Sequence, residues 1–413
     1  MTEEPSSTQV SDTKSVIAKG TCNREFGLLP LDGSDPYVYS QTIGTPPLSY
    51  VKGQNYSQES PPPTYLSLEE LHPYRSTWAS DILYNSYRDS KGGLVSTDRS
   101  IIKKQRGVVA DLVKNILKNF ASGLGMARIT LPIKIFEPRS YVERLLDKFS
   151  LAPVFLNGLE PNLLLRFLKV VASCIGTMYI SISQAKPFNP ILGETFQGRY
   201  SDGSLVYVEH ISHHPPIDCF LIVGEDYKIY GHYQLEGKFK GNNLIGSLIG
   251  PTFVEFQDGQ LIEYTQPSFK LGGMLFGLRT LNYTGEFHFW DKSNSIYSKL
   301  KVGSSNSFFK KKDKLKLDDL SGKVFVNKKE IGLLKGNWLK NLFFEVEDYQ
   351  KELWNIEKHE PVWHTKEENP LPSDWRYRED LIWLSRGNTE YAGNWKYRLE
   401  LQQRNEHLLR NNS

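Results

Sequence analysis

The sequence predicts a β-rich, α+β fold: a large antiparallel sheet, preceded by helices and closed off by a charged C-terminal helix. Three observations carry that expectation. From Thr195 to about Val346, short β-favouring runs alternate with turn residues, with no helical rhythm between them. Asn162 to Met178 is almost entirely apolar, through Leu163-Leu164-Leu165, Phe167-Leu168 and Val170-Val171, which suggests a buried helix. Residues 1 to about 65 are rich in Ser, Thr, Gly and Pro and end in Ser60-Pro61-Pro62-Pro63-Thr64. Such a segment buries too little apolar surface to offset its ordering entropy.

Residues 1–105 are expected to be mostly disordered, the part from 66 onward because its aromatics are irregularly spaced and Gly92-Gly93 follows. From Gly107 the pattern sharpens. Val109, Leu112, Val113, Ile116, Leu117 and Phe120 form one apolar stripe, with Asp111, Lys114, Asn115, Lys118 and Asn119 opposite and Gly123 and Gly125 as the stop. Such a helix is either packed on a core or an interfacial lid whose cations suit an anionic membrane. Ile129 to Ile135 reads as a strand in which Pro132 favours an edge. Leu145 to Leu159 reads as a helix, and Lys186-Pro187-Phe188-Asn189-Pro190-Ile191-Leu192-Gly193-Glu194 as a loop, broken by its prolines.

In the strand-rich region, Leu205 to Val208 leads into Glu209-His210-Ile211-Ser212-His213-His214-Pro215-Pro216. Strand alternation would turn His213 and His214 to opposite faces, and the prolines should end the pairing or push it to an edge. Further on, Phe308-Phe309 precedes a lysine run through Lys316, either a solvated loop or a membrane-surface contact. After Trp354 the strand pattern fades, and Tyr391 to Arg410 reads as a charged helix.

The chain has 413 residues, a formal net charge of +3 and 39% hydrophobic residues. A charge so near balance gives no bulk case for nucleic-acid binding. Cys22, Cys174 and Cys219 are too few and too scattered for a disulfide framework or a paired-cysteine metal site, and read as reduced thiols. Met1-Thr2-Glu3-Glu4-Pro5 lacks a basic n-region, and no apolar run reaches the ~18 residues of a membrane span. The expectation is a cytosolic monomer that meets membranes peripherally.

For chemistry, His210, His213 and His214 are the obvious metal candidates, yet i and i+3 on a strand face opposite ways. No nucleophile elbow or nucleotide-binding glycine loop is present, so neither a catalytic residue nor a cofactor is expected. Anion recognition fits better. Lys186 and Asn189 sit in a proline-stiffened loop, and Lys396, Glu400 and Arg404 share one helix face, where Glu400 would orient both cations.

These motifs carry a resemblance. Glu209 to Pro216 resembles the fingerprint of the oxysterol-binding protein-related family of lipid-transfer proteins, and Lys186 to Glu194 its other signature loop. Gly336-Asn337-Trp338 and Leu371-Pro372-Ser373-Asp374-Trp375-Arg376 are similar to two later family segments, in the family's order. The resemblance covers roughly residues 105–410 and identifies a short form consisting of the lipid-binding domain. It implies a large, nearly closed antiparallel β-barrel (about 129–346) around a lipid tunnel, a lid at 107–125 and a C-terminal subdomain at about 347–410. It also implies a phosphoinositide head-group site made of Lys186, Asn189, His213, His214, Lys396, Glu400 and Arg404. The implied activity is exchange of phosphatidylinositol 4-phosphate for a second lipid at membrane contact sites, including those of the endoplasmic reticulum.

Departures from the pattern bear on the cargo. His210 stands where the family usually has Gln, and Ile217-Asp218-Cys219 is not its commonest continuation. Ala127 to Pro132 resembles the phosphatidylserine-carrying branch, whereas Gly231 to Gly241 resembles sterol carriers. These mixed signals leave the second lipid open; a sterol is the favoured expectation, with phosphatidylserine the alternative. Two other classes compete with a carrier: a lipid-sensing adaptor signalling through the N-terminal region, and a metal-dependent hydrolase built on the histidines.

Overall fold

The structure, a computed structural model, describes residues 83–121, 131–182, 185–303, 315–366 and 369–411, with the side chains of 112, 113, 115–121, 364–366 and 411 outside that description. Two short strands, β1 (Ser86–Arg88) and β2 (Leu94–Ser96), form a hairpin ahead of helix α1 (Arg99–Ala121). Over residues 83–105 this ordered start replaces the expected low order. Arg88 anchors it by donating to Asp318 at 2.5 and 3.1 Å. Asp98 starts α1 well before Gly107, because its carboxylate accepts from the Ile101 N–H at 3.0 Å.

A parallel pair, β3 (Phe136–Ser140) with β4 (Lys186–Phe188), brackets a helical block. Two expectations change here. Ile133–Ile135 is a 3-10 turn led by Pro132, and the strand begins only at Phe136. Lys186–Phe188, read as loop, pairs with that strand. Leu145 to Leu159 also departs from a single helix. It breaks into a 3-10 segment and a short helix, Ala152–Leu156, with Pro153 in its first turn, where a missing N–H does no harm.

Helix α2 (Leu163–Gly176) forms as its sequence suggests, capped by Asn162, whose side chain accepts from the Leu165 N–H at 3.0 Å. The run Leu163–Ser181 is long and apolar enough to cross a membrane, contrary to the expectation from the sequence, but it is 78% buried inside the fold. Its end packs so closely that a Cβ on Gly176 would lie 2.4 Å from Leu151 and 2.6 Å from the Trp354 indole.

The main sheet comprises β5 (Thr195–Tyr200), β6 (Leu205–His213), β7 (Pro216–Val223), β8 (Tyr227–Lys240), β9 (Asn243–Ile249), β10 (Thr252–Phe256), β11 (Leu261–Thr265) and β12 (Ser268–Gly272). It continues through β13 (Thr280–Asp291), β14 (Ile296–Val302), β15 (Asp319–Val326), β16 (Lys329–Asn337), β17 (Asn341–Val346), β18 (Tyr349–Asn355) and β19 (His364–Lys366). It therefore runs past Val346, the expected end of the barrel, and β19 lies beyond Trp354, after which the strand pattern was expected to fade. The runs β5 to β8 and β13 to β18 pair in chain order. The long strands β8 and β13 are bridged twice, by β10 and β11 at one end and by β9 and β12 at the other. Beyond β5 lies β19, and among the described residues no pairing joins β19 to β18. Among the described residues no ladder therefore closes the sheet into a ring.

Helices α3 (Glu379–Ser385) and α4 (Thr389–Asn411) end the chain. The Gly336-Asn337-Trp338 motif has a packing reason: β17 crosses so near that a Cβ on Gly336 would meet the Asn341 carbonyl oxygen at 2.2 Å, and Trp338 is fully buried. Most of the lysine run at 308–316 lies outside the described residues.

Candidate functional site

The site begins at the β6–β7 hairpin. Along β6, Val206, Val208 and His210 point inward while Tyr207 and Glu209 point out. A bulge between His210 and Ser212 then shifts the register. That extra residue overturns the alternation argument, since it brings i and i+3 to the same side. The His210 and His213 rings meet with Nε2 3.1 Å from Nδ1, and the other His210 nitrogen lies 2.8 Å from Asp218 on β7. The prolines make neither an edge nor a break in the sheet. Pro216 pairs with His213 across the turn, and β7 goes on between β6 and β8. His213 stacks edge-on to His214 at 4.8 Å, and His214 to His407 of α4 at 6.3 Å. Burial, with His210 and His214 as neighbours, pushes the His213 imidazole down to about 4. Asp218 is raised by its own burial, against the pull of His210.

Opposite lies β4 and the loop after it. The ammonium of Lys186 donates to the side-chain oxygen of Asn189. It lies 5.3 Å from the ring centre of Phe136, and Lys396 of α4 lies at the same distance from that ring. Two cations thus share one aromatic ring. Burial and the charge of Lys396 lower Lys186 to about 8. The loop is held by Arg378, which donates to the Asn189 carbonyl at 2.8 Å, to Glu194 at 2.9 Å and to Asp380 at 2.8 and 3.1 Å. Burial opposes the charge of Arg378, but Asp380 and Glu194 outweigh it and hold the guanidinium above its usual range. Burial raises Glu194, against the opposing pull of Arg378 and the Ser140 hydroxyl.

Helix α4 supplies the third wall. Glu400 takes Lys396 on one oxygen and Arg404, at 3.4 Å, on the other. Gln403, His407 and Arg410 continue the same face at helical spacing and line the same cleft. Of the residues singled out for anion recognition, Asn189, His213, His214, Lys396, Glu400 and Arg404 therefore line one cleft, while Lys186 lies over the Phe136 ring that also borders it. Arg378, His407, Gln403 and Arg410 were missed. For the last three, extending the stripe by i+3 and i+7 steps from Glu400 would have found them. Arg378 left no such signal, because its role depends on a contact with a loop nearly two hundred positions away.

Two cavities meet at this wall. The cleft, of about 410 Å³, is lined by Phe136, Asn189, His213, His214, Arg378 and the α4 stripe. The second, of about 560 Å³, is mostly apolar and is walled by side chains from α1, β6 to β9, β12 and β13. Asn189, His213 and His214 line both, while Lys186 faces the apolar one and Lys396, Glu400 and Arg404 the cleft. From the α1 stripe, Val109 lines the apolar cavity beside Val108 and Gln105. Leu112, Val113, Ile116, Leu117 and Phe120 lie in the same helix with side chains outside the described residues. Among the described residues, no group of three or more His, Cys, Asp or Glu side chains is placed to hold a metal ion.

Comparison with known proteins places this geometry. Over 350 residues the chain is 33% identical to oxysterol-binding protein 9 of Dictyostelium discoideum, covering 79% of this chain and 81% of that protein. Human oxysterol-binding protein-related protein 8 is 27% identical over 305 residues, 71% of this chain. The chain spans only 33% of that larger relative's length. Among solved structures, the Osh3 ORD of Saccharomyces cerevisiae in complex with PI(4)P superposes with a TM-score of 0.58 at 24% identity, covering 72% of this chain and 83% of that one. The Osh1 ORD domain in complex with cholesterol gives 0.58 at 21% identity, covering 70% and 77%. The family model for oxysterol-binding protein matches residues 113–413, and the chain belongs to the oxysterol-binding protein family.

Proposed function

We propose that this chain is a lipid carrier that takes the head group of phosphatidylinositol 4-phosphate in the basic cleft and its acyl chains in the apolar cavity. It exchanges that lipid for a second one, a sterol or phosphatidylserine, held in the same chamber. The observation that carries this reading is the shared wall. His213, His214 and Asn189 face a cationic cleft on one side and an apolar chamber on the other, which is the layout a phosphorylated amphiphile requires. A chamber of about 560 Å³ lies within the ~300–1,000 Å³ of sites that enclose one small molecule. Acyl burial supplies the driving force, at ~0.8 kcal/mol per CH₂ removed from water.

Members of the family are lipid-binding and transfer proteins and not enzymes. The histidines here act as a grip, with Lys186, Lys396 and Arg404 supplying charge. The relatives that bind PI(4)P and cholesterol support the two cargo classes by likeness of fold. The reading places the protein in the cytosol, docking peripherally on the membranes it serves, with lipids as its partners and no cofactor. Extraction of labelled phosphatidylinositol 4-phosphate from liposomes tests it. The His213→Ala/His214→Ala variant is expected to lose at least ~tenfold in extraction, since each charge-assisted hydrogen bond contributes ~1.5–3 kcal/mol. Extraction at the wild-type rate would defeat the head-group assignment.

A further inference from the structure

The turn between β12 and β13 presents its side chains in two directions. Met274 is buried at 6% exposure and lines the apolar cavity, while Leu275, Phe276 and Leu278 are 39%, 68% and 61% exposed. Large apolar side chains clustered in the open mark an interaction surface. The turn is held firmly, so their exposure is built in. Asn242, at the β8–β9 turn, accepts from the Leu275 N–H at 2.7 Å and donates to the Phe276 carbonyl at 2.8 Å. Gly273 and Gly277 have φ of 66° and 80°, which favours glycine, and a Cβ on Gly273 would strike the Leu278 carbonyl oxygen at 2.0 Å.

The same turn is tied to α1. Arg106 donates to the Gly277 carbonyl and, at 3.4 Å, to that of Gly273. Arg279 donates to Gln105 and, at 3.4 Å, to Gly273. Among the described residues, Gln105, Val108 and Val109 are the α1 side chains that wall the cavity. The hydrogen bonds that Arg106 of α1 makes beside the chamber thus end on the backbone of an exposed apolar turn.

Charge around the turn favours one partner. Lys103 and Lys104, about one helical turn before Arg106, are exposed. So are Lys238 and Lys240, which flank the 55%-exposed Phe239 on the hairpin that ends at Asn242. The acid that pairs on that hairpin, Glu236, takes Lys238 at 3.1 Å. An exposed apolar turn, hydrogen-bonded to two elements that both carry exposed lysines, suits the interface of an anionic bilayer, where the turn enters the acyl boundary and the cations meet lipid phosphates. We propose that the Gly273–Leu278 turn docks on anionic membranes, and that its insertion draws the Gly273 and Gly277 carbonyls away from Arg106, releasing α1 from the cavity.

The inference rests on the carrier reading, and the full chain tests it against vesicles of phosphatidylcholine with or without phosphatidylserine. The emission of Phe276→Trp should shift to the blue on adding the anionic vesicles. Phe276→Ser/Leu278→Ser should lower vesicle binding by ~tenfold, while thermal stability and binding of soluble inositol 1,4-bisphosphate stay as in wild type. Arg106→Gln should speed cargo exchange with vesicles and leave the soluble head group bound as before. Unshifted emission, or full vesicle binding by the double serine variant, overturns the docking surface. An unchanged exchange rate in Arg106→Gln overturns the latch. If soluble head group binds no variant while vesicle binding still depends on the turn, the carrier reading fails and the docking surface stands.

Discussion

His210 changes what the histidine pair can do. With Asp218 ionised, and in the tautomer that places the single ring proton of His210 on Nδ1, that N–H donates to Asp218 at 2.8 Å and Nε2 accepts the Nδ1–H of His213 at 3.1 Å. His213 then carries a lone pair on its remaining nitrogen and has no proton to give a phosphate. Its pKa of about 4 keeps it neutral in the empty site near pH 7. A bound phosphate favours imidazolium, so binding should take up a proton. The sign follows from linkage: a group whose pKa is higher in the complex makes binding tighten as pH falls from its pKa in the complex toward the free value of about 4, by at most ~tenfold per unit. Calorimetry in two buffers of different ionisation enthalpy measures this uptake. Asp218→Asn permits the opposite tautomers, so uptake should fall in that variant. Equal heats in both buffers for wild type would dispose of the relay. The residue types at this site were legible in the sequence because they lie in short, stiff motifs. Their arrangement was not, because a one-residue bulge decides which face a side chain takes and leaves no compositional trace.

At the scale of elements, the strand-rich stretch from Thr195 to Val346 could be read from its β-favouring runs and turn residues, most plainly where burial alternates along the strand, as in β6, β10 and β17. Elements held by non-local contacts escaped. β2 exists because it pairs with β13 at Thr280 and Leu281, and β19 because it pairs with β5, and three residues of either would not hold alone. The β3–β4 pair likewise joins segments separated by the whole helical block. Packing between elements sets the next prediction. A side chain on Gly336 must displace the β17 backbone, because its Cβ would fall 2.2 Å from the Asn341 carbonyl oxygen and 2.8 Å from the Leu342 Cα. Backbone cannot yield as a flexible side chain does, so Gly336→Val should destabilise by ~2–4 kcal/mol. Chemical denaturation should show a lower midpoint with the slope preserved, and a midpoint equal to wild type would mean β17 has room that the fold does not show.

For the whole molecule, the two cavities impose a rule on cargo. The cleft and the chamber share His213, His214 and Asn189, but only the chamber has an apolar wall extensive enough to shield lipid. Two lipids placed side by side would need roughly twice the volume of one, and a chamber of about 560 Å³ lies mid-range for a single ligand. Phosphatidylinositol 4-phosphate and a sterol should therefore exclude one another completely, even though only the phosphoinositide needs the basic cleft. Protein loaded with a fluorescent sterol and titrated with phosphatidylinositol 4-phosphate should release the sterol one for one. The apparent Kd of the phosphoinositide should rise in proportion to sterol concentration, without a plateau. A plateau would mean that both lipids bind together and that coupling between the sites is finite. Soluble inositol 1,4-bisphosphate provides the contrast. It fills the cleft without acyl chains, so it should leave the sterol in place and bind the loaded and empty protein alike. If the soluble head group also drives the sterol out, exchange is set by a conformational link through the shared histidines and not by occupancy of one chamber.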